Sequence, residues 1–263
     1  MPLSLPALAG TIDRRILINY RVDPAVLAPH VPPPFRLKTV HGHAIAGICL
    51  IRLRQLRPRG LPAWLGVGSE NAAHRIAVEW DADGRTHTGV YVPRRDTASR
   101  LNVLAGGRLF EGYQHHARFD VHETATHLEV AVHSDDGVTR LAVVADVVAI
   151  VDIADAADIT DAAARPLPGS TFASLAEASA FFEAGAVGYS DTPTAGRYQG
   201  LELCCREWRV EPLVVQTVQS SFFDDPARFP PGSVAFDNAL LMRGVAHTWR
   251  GRVVPQPCHN HDL

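Results

Sequence analysis

Most of this chain consists of segments with the length and residue pattern of β-strands, and they follow one another with little between them. Each is rich in β-branched or aromatic residues, or alternates between apolar and polar positions. The segments are residues 15–20, 43–53, 70–80, 88–93, 115–121, 128–133, 141–150, 201–210, 213–221 and 234–242. Because short turns such as Asp135-Asp136-Gly137 join neighbours, the sequence predicts an antiparallel meander or barrel rather than β-α-β units.

Three short helices are predicted between the strands. Asp23-Pro24 supplies the cap residue and the proline that open a helix, and Ser174 with Glu177 forms a capping box that opens another. Asp96 is predicted to cap a third helix, closed by Gly106-Gly107. The predicted fold class is therefore mainly β (α+β), with a few short helices.

The composition is that of an ordinary globular protein. Hydrophobic residues make up 46% and charged residues 20% of the 263 residues, which fits one domain over residues 1–263 with a linker at 166–170 inside it. A formal net charge of −3 gives no electrostatic case for binding nucleic acid or an anionic membrane. No basic region precedes the apolar N-terminal stretch, and Asp146 and Asp152 break the longest apolar run, so the expected location is cytoplasmic.

The chain has 24 arginines and a single lysine, Lys38, and the scarcity of lysine excludes several mechanisms. A phosphate-binding loop or a pyridoxal phosphate enzyme would have to use Lys38, around which no such motif is present. The cysteines follow no disulfide or zinc spacing and are interpreted as free thiols, and residues 258–261 as a frayed terminus rather than a metal site. The sequence thus predicts no cofactor and no metal.

The strand predicted over residues 70–80 carries the densest polar chemistry. Alternation places Glu70 and His74 on its more apolar face, which is predicted to face the core, and Asn71 and Arg75 on the other face. A carboxylate and an imidazole on the same inward face are natural acid/base partners. Two interpretations stay open, a catalytic pair or a buried hydrogen-bonded pair with a structural role.

Arg94 and Arg95 follow the next strand and precede the helix that Asp96 is predicted to cap. Guanidinium groups beside free N–H groups at a helix start form an anion site, the alternative being two solvated surface arginines.

The side chains of His115 and His116 diverge on a strand, and His115 joins the apolar positions. His115 is therefore the predicted interior residue and a third candidate for proton transfer.

Several motifs that together span nearly the whole chain point to one known family. They are Asn19-Tyr20-Arg21-Val22-Asp23-Pro24 with Pro32-Pro33-Pro34, Glu70-Asn71-Ala72-Ala73-His74-Arg75, Val92-Pro93-Arg94-Arg95-Asp96-Thr97, Gly106-Gly107-Arg108-Leu109-Phe110, and Phe181-Phe182 with Gly188-Tyr189-Ser190. In these motifs the chain resembles the uncharacterised YqjF-like (DUF2071) family. That family is related to the acetoacetate decarboxylase-like superfamily, so the resemblance implies a cone-shaped antiparallel β barrel around a deep pocket.

The resemblance to the decarboxylases themselves stops at their lysine pair, of which one lysine forms a Schiff base with the substrate. That pair falls on residues 94–98, which contain arginines and no lysine. Arginine is too basic to deprotonate and cannot form the imine. The superfamily's carboxylate-binding arginine on the first strand falls near Arg14 and Arg15. The resemblance therefore implies a substrate pocket without Schiff-base chemistry.

Two functions stay open. In the first, the chain is a lyase- or isomerase-type enzyme that uses Glu70, His74 and His115 for proton transfer on a small anionic or carbonyl-containing metabolite. The reaction would be a dehydration, isomerisation, cyclisation or decarboxylation. The substrate-binding residues would be Arg94, Arg95, Arg15 and Asn71. In the second, the pocket binds or senses a small molecule without catalysis. The sequence favours the enzyme and leaves the substrate and the oligomeric state, including a homo-oligomer, open.

Overall fold

Strands predominate in the part of the chain that the computed structural model describes, which is residues 7–105, 112–147 and 166–253. The strands are β1 Leu8–Val22, β2 Arg36–Leu37, β3 Thr39–Val40, β4 His43–Pro58, β5 Val67–Ala82, β6 Arg85–Thr97, β7 His115–Glu123, β8 His127–Ser134, β9 Arg140–Val147, β10 Val187–Asp191, β11 Tyr198–Cys205, β12 Glu211–Ser220 and β13 Val234–Val253. The helices are α1 Pro24–Leu27, α2 Arg100–Ala105 and α3 Leu175–Ala184, with 3₁₀ turns at Ala28–His30 and Ala63–Leu65.

The strands form one 13-stranded sheet that closes on itself twice. Strand β13 pairs with both β1 and β11, and β6 pairs with both β5 and β10, so β1-β4-β5-β6-β10-β11-β13 forms a closed ring, here named the small ring. The path β6-β7-β8-β9-β12-β13 closes a second ring through β1, β4 and β5, here named the large ring. The pairings are antiparallel except for two short parallel ones, of β6 with β10 and with β7. Strands on both sides of residues 166–170 therefore belong to one sheet.

The strands that the two rings share are buried on both faces. One face of β1 contributes Ile16 and Ile18 to a core that includes Val130 of β8. The opposite face contributes Leu17 to a second core, which Phe182 of α3 joins. Since both faces are covered, apolar alternation along such a strand does not distinguish a packed face from one that lines a site.

Each predicted strand is present, in most cases longer than predicted, while β2, β3 and β10 were not predicted. The first and last predicted helices are confirmed with their caps: Asp23 accepts from the Ala25 amide at 2.8 Å, and Ser174 accepts from the Glu177 amide at 3.2 Å. Gly106-Gly107, the end of the predicted strand 141–150 and the tail 258–261 lie outside the described residues. No helix within the described ranges has the length and hydrophobicity needed to cross a membrane.

The prediction that Asp96 caps a helix is wrong. Asp96 belongs to β6, which continues to Thr97 because its last residues pair with β5. The helix α2 starts at Arg100. The hydroxyl of Ser99 accepts a hydrogen bond from the backbone amide of Asn102 at 3.2 Å. Asp96 is fully buried instead and pairs with the guanidinium of Arg94 rather than with helix amides.

Candidate functional site

The small ring encloses a cavity of about 130 Å³. Its walls are mostly apolar and come from every strand of that ring, with the end of α3 contributing at one side. The polar or ionisable residues that line it are Arg15, Cys49, Asn71, Arg75, Arg95, Asp96, Asn102 and Gln114. Apolar walls with a few convergent polar groups are the usual composition of a small-molecule site, although this cavity is smaller than most such sites.

Arg15 of β1 enters the cavity with its guanidinium held on two sides. Its Nε donates to Sγ of Cys49 at 3.4 Å, and its Cζ lies 5.3 Å from the centroid of the Trp208 ring. Its Nη1 is buried and makes no hydrogen bond in the structure. Arg15 therefore presents an unused donor in a position where water is scarce.

Arg75 of β5 is the most buried of the cavity guanidiniums, with 5% of its surface exposed. Its Nη2 donates to Oδ1 of Asn19, and its Cζ lies 4.7 Å from the centroid of the Phe182 ring. Its Nε is buried without a hydrogen-bond partner. Burial lowers the pKa of this guanidinium to about 10, which still leaves it charged at neutral pH.

Arg95 of β6 completes the set of three cavity arginines. Its Nε donates to Oγ of Ser190 at 2.9 Å. The guanidinium lies over Gly188 of β10, since a Cβ added at that glycine would be 3.5 Å from Nη2. Arg95 therefore packs against the backbone of β10 at Gly188.

The charges of Arg15 and Arg75 are not neutralised by neighbouring acids. Among the described residues, no carboxylate oxygen forms an ion pair with either guanidinium. The acidic side chain of the cavity wall, Asp96, accepts hydrogen bonds from Arg94 at 2.7 Å and from Thr139 at 2.9 Å. A buried charge is costly unless it is paired, and an anion in the cavity would supply the missing partner.

Of the four residues predicted to bind substrate, the structure brings Arg15, Asn71 and Arg95 together in the cavity wall. Asn71 is held in place because its Oδ1 accepts from Thr97 at 2.8 Å and its Nδ2 donates to Oγ of Ser69 at 3.0 Å.

Arg94 lies outside this cavity, which corrects the expectation that both arginines of the pair face the substrate. Its guanidinium lies between two carboxylates, 2.7 Å from Asp96 and 2.8 Å from Asp136. Arg94 also depresses the pKa of Asp136 below its usual range. Because adjacent strand residues point to opposite faces, Arg95 can enter the small ring only if Arg94 turns away from it.

Glu70 is also outside the cavity, on the opposite face of β5 from Arg75. It lies in a cluster of charges in which the fully buried Arg14 contacts Glu70 at 2.7 Å and Glu123 at 3.2 Å. Arg52 bridges the same two carboxylates. Burial raises the pKa of Glu70, and the two guanidiniums oppose that rise. The cluster ties β1, β4, β5 and β7 together.

His74 and His115 are likewise not in the cavity wall. His74 is buried against the Phe222 ring at a centroid distance of 4.9 Å, and its Nδ1 has no partner. Burial, aided by Arg94, lowers the pKa of His74 to about 4. Nδ1 of His115 lies 3.3 Å from Asp136, and 40% of the His115 side chain is exposed. None of the three proposed proton carriers therefore lines the cavity with Arg15, Arg75 and Arg95.

Lys38, the single lysine of the chain, is partly buried against an aromatic ring. Its Nζ lies 4.5 Å from the centroid of the Phe181 ring. Burial lowers its pKa, although the carboxylate of Glu79 opposes this shift. It is not among the cavity-lining residues.

Sequence reasoning missed Arg75 and Cys49 as cavity residues. Alternation places Arg75 on the polar and hence outer face of its strand, because Asn71 and Glu79 share that face. A usable signal was present: Ala73 and Ala77 flank Arg75 on the same face, and small neighbours leave space beside a long side chain. Cys49 carried no such signal, since a cysteine in an apolar strand is most often simply buried.

Comparison with known proteins places the chain in a family. The sequence profile of DUF2071, described as an uncharacterized conserved protein, matches residues 11–221. The chain belongs to the DUF2071 family. No curated protein matches it.

Solved structures similar to this DUF2071 protein share its fold. An acetoacetate decarboxylase from Legionella pneumophila has a TM-score of 0.57 at 12% identity, with 97% of this chain and 92% of that chain covered. The enduracididine biosynthesis enzyme MppR, complexed with pyruvate, has a TM-score of 0.53 at 13% identity, covering 96% and 91%. An acetoacetate decarboxylase-like enzyme from Sphingomonas wittichii has a TM-score of 0.53 at 11% identity, covering 96% and 94%. The fold is therefore acetoacetate decarboxylase-like, a mainly β fold whose sheet here is ring-like.

Proposed function

We propose that this DUF2071 protein binds a small carboxylate in the small-ring cavity and acts on it as an acetoacetate decarboxylase-like enzyme that forms no Schiff base. The observation that carries the proposal is Arg75, a 5% exposed guanidinium with an unpartnered Nε and no carboxylate paired to it in the described chain. A carboxylate ligand would supply the missing partner. Arg15 and Arg95 would bind the other oxygens of the same ligand, because guanidinium and carboxylate geometries match.

The chemistry available to three arginines is electrostatic. They can stabilise negative charge that develops on a carbonyl or carboxylate oxygen, as in decarboxylation or enolisation, but they cannot form an imine. A keto acid suits this set, since it has a carboxylate to anchor and a carbonyl on which charge develops. The pyruvate bound to MppR, which has the same fold, supports this substrate class.

A non-catalytic binding or sensing role is the second candidate, and a specific observation favours it. Glu70, His74 and His115 lie outside the cavity wall, and Asp96 is already engaged by Arg94. Proton carriers are therefore scarce where the ligand would bind. Under either proposal the expected location is cytoplasmic.

Calorimetric titration with pyruvate and with its neutral amide tests the binding proposal. Replacing Arg75 by Gln should weaken pyruvate binding at least about tenfold, or ~1.4 kcal/mol, because a charge-assisted bond is lost. Pyruvamide binding should change little. Arg118→Gln is the matched control, since Arg118 is exposed on β7. Equal losses for acid and amide would show that Arg75 only supports the fold.

Isotope exchange separates the enzyme from the binder. If the cavity promotes enolisation, the methyl protons of pyruvate should exchange with D₂O faster with the protein present, and Arg75→Gln should slow that exchange. Acetoacetate should be tested in parallel for loss of CO₂. Tight pyruvate binding without exchange or turnover of either acid would establish the binding role instead.

A further inference from the structure

We propose that Cys49 is a nucleophilic thiol of the small-ring cavity and that it forms covalent adducts with small carboxylates carrying an electrophilic carbon. The inference rests on the proposed anion-binding function of the same cavity and adds a reactive group to it. The catalytic scheme above does not use Cys49.

The strand register places Cys49 between two of the cavity arginines. Cys49 lies on β4, opposite Leu17 of β1 and Ala73 of β5. Arg15 lies two residues before Leu17 on β1, and Arg75 lies two residues after Ala73 on β5. Both arginines are therefore on the same face of the sheet as Cys49. Cys49 is therefore flanked by a guanidinium on each side.

Arg15 contacts the sulfur directly, with 3.4 Å between its Nε and Sγ of Cys49. A hydrogen bond from a cation stabilises a thiolate more than a thiol, because only the thiolate carries charge. Cys49 is 9% exposed and lines the cavity, so the sulfur faces the space where a ligand would bind.

An independent observation shows where the ligand's carboxylate would bind. Arg75, which is more than nine-tenths buried and lines the same cavity, has no partner for its Nε, and Arg15 has none for Nη1. A carboxylate bound by these donors would be held next to the sulfur. The geometry therefore combines a nucleophile with an anchor for the charge of its electrophile.

Another thiol in the chain lacks this arrangement. Cys204 of β11 is on the opposite face of its strand from Leu203, which lines the cavity. Burial raises the pKa of Cys204, and the carboxylate of Glu202 raises it further, although Arg250 and Arg252 oppose the rise. Cys204 therefore serves as an internal control in the same molecule.

Iodoacetate is the probe, because it is a small carboxylate with an electrophilic carbon, and iodoacetamide is its neutral counterpart. The Cys49 thiol gives its proton to the solvent, a sulfur lone pair forms the S–C bond, the C–I bond breaks, and iodide leaves. The rate at each cysteine is measured by mass spectrometry of the digested full-length protein.

The ratio of the iodoacetate rate to the iodoacetamide rate should be at least about tenfold higher at Cys49 than at Cys204. Arg15→Gln should lower the Cys49 ratio toward that of Cys204, whereas Arg118→Gln should leave it unchanged. In the unaltered protein, acetate should protect Cys49 and acetamide should not, a measurement that needs no variant to fold.

Two results would overturn the inference while leaving the proposed function intact. One is that pyruvate binds in calorimetry but Cys49 is not alkylated by either reagent in the folded protein. The other is that Cys49 reacts with the same charge preference as Cys204. If instead pyruvate does not bind but Cys49 prefers iodoacetate and acetate protects it, the anion site and its thiol stand, and the keto-acid function fails.

Discussion

Asn19 holds the guanidinium of Arg75 through its side-chain amide oxygen, in a position where an acidic residue would have neutralised the charge. Asn19 is itself fully buried and donates to Oδ1 of Asn238 at 2.6 Å. Asn238 donates in turn to Asp237 at 2.6 Å. The carboxylate is thus separated from Arg75 by two amides, so the guanidinium is oriented but keeps its charge for the cavity.

Asn19→Asp should weaken the binding of anions while leaving the binding of a neutral analogue nearly unchanged. The new carboxylate has nearly the same volume and would pair with Arg75, so a ligand carboxylate would gain less from the same guanidinium. Affinity for pyruvate should fall at least about tenfold, or ~1.4 kcal/mol, while pyruvamide binding stays within about twofold. Calorimetry on both ligands is the measurement. Unchanged pyruvate affinity would mean that Arg75 does not contact the ligand.

The adjacent arginines of β6 should separate stability from binding. Arg94→Gln leaves the fully buried Asp96 without its charged partner, so the free energy of unfolding should fall by about 3 kcal/mol. Arg95→Gln should cost less stability and instead reduce pyruvate affinity, since Arg95 lines the cavity. Urea denaturation and calorimetry on both variants check this. The opposite division of effects would place the anion site on the Arg94 side of the strand.

The strands could be predicted because their signal is local. Residues 43–53 and 115–121 alternate or contain runs of β-branched residues, and both are strands in the structure. The end of β6 could not be predicted in this way. Its last residues join the sheet because Asp96 and Thr97 pair with Ala72 and Asn71 of β5, and such pairing is a tertiary effect that no local pattern shows.

The cavity was harder to predict than the fold, for a related reason. The sequence identifies Arg15, Asn71 and Arg95 through family resemblance and motif, and all three line the cavity. It also places Glu70 and His74 inward. Both side chains face the interior of the large ring, on the opposite face of β5 from the cavity. A strand shared by two rings has two inward faces, and alternation alone does not say which one meets a ligand.

His74 should make the protein less stable as the pH falls. Its folded-state pKa of about 4 is below the ordinary value, so below pH ~6.5 the unfolded chain binds a proton that the folded chain excludes. Stability from this group is complete above ~6.5 and is lost progressively down to about 4. Between pH 7.5 and 5 the loss should be about 2 kcal/mol.

His74→Leu should remove that part of the pH dependence, which is measured as the difference in unfolding free energy between the two proteins at each pH. Taking the difference cancels groups that both proteins share, including His127, whose pKa is raised by Asp146 and whose contribution has the opposite sign. His122→Gln, an exposed histidine, is the control and should leave the curve unchanged. Identical pH curves for wild type and His74→Leu would contradict the burial of a neutral imidazole.

Arg95→Lys should create a site for Schiff-base formation that the natural chain lacks. A lysine at 95 would share the cavity wall with Arg15 and Arg75, and burial together with like charges lowers the pKa of an amine, which gives the neutral nucleophile. Borohydride reduction in the presence of pyruvate should then trap an adduct on Lys introduced at this position, located by mass spectrometry. The natural protein should give none, because Lys38 does not line the cavity.

Arg118→Lys, on an exposed strand face, is the matched control and should also give none. An adduct on Lys38 in the natural protein would reverse the exclusion of imine chemistry. An Arg95→Lys protein that binds pyruvate but traps nothing would place the ligand's carbonyl away from Arg95.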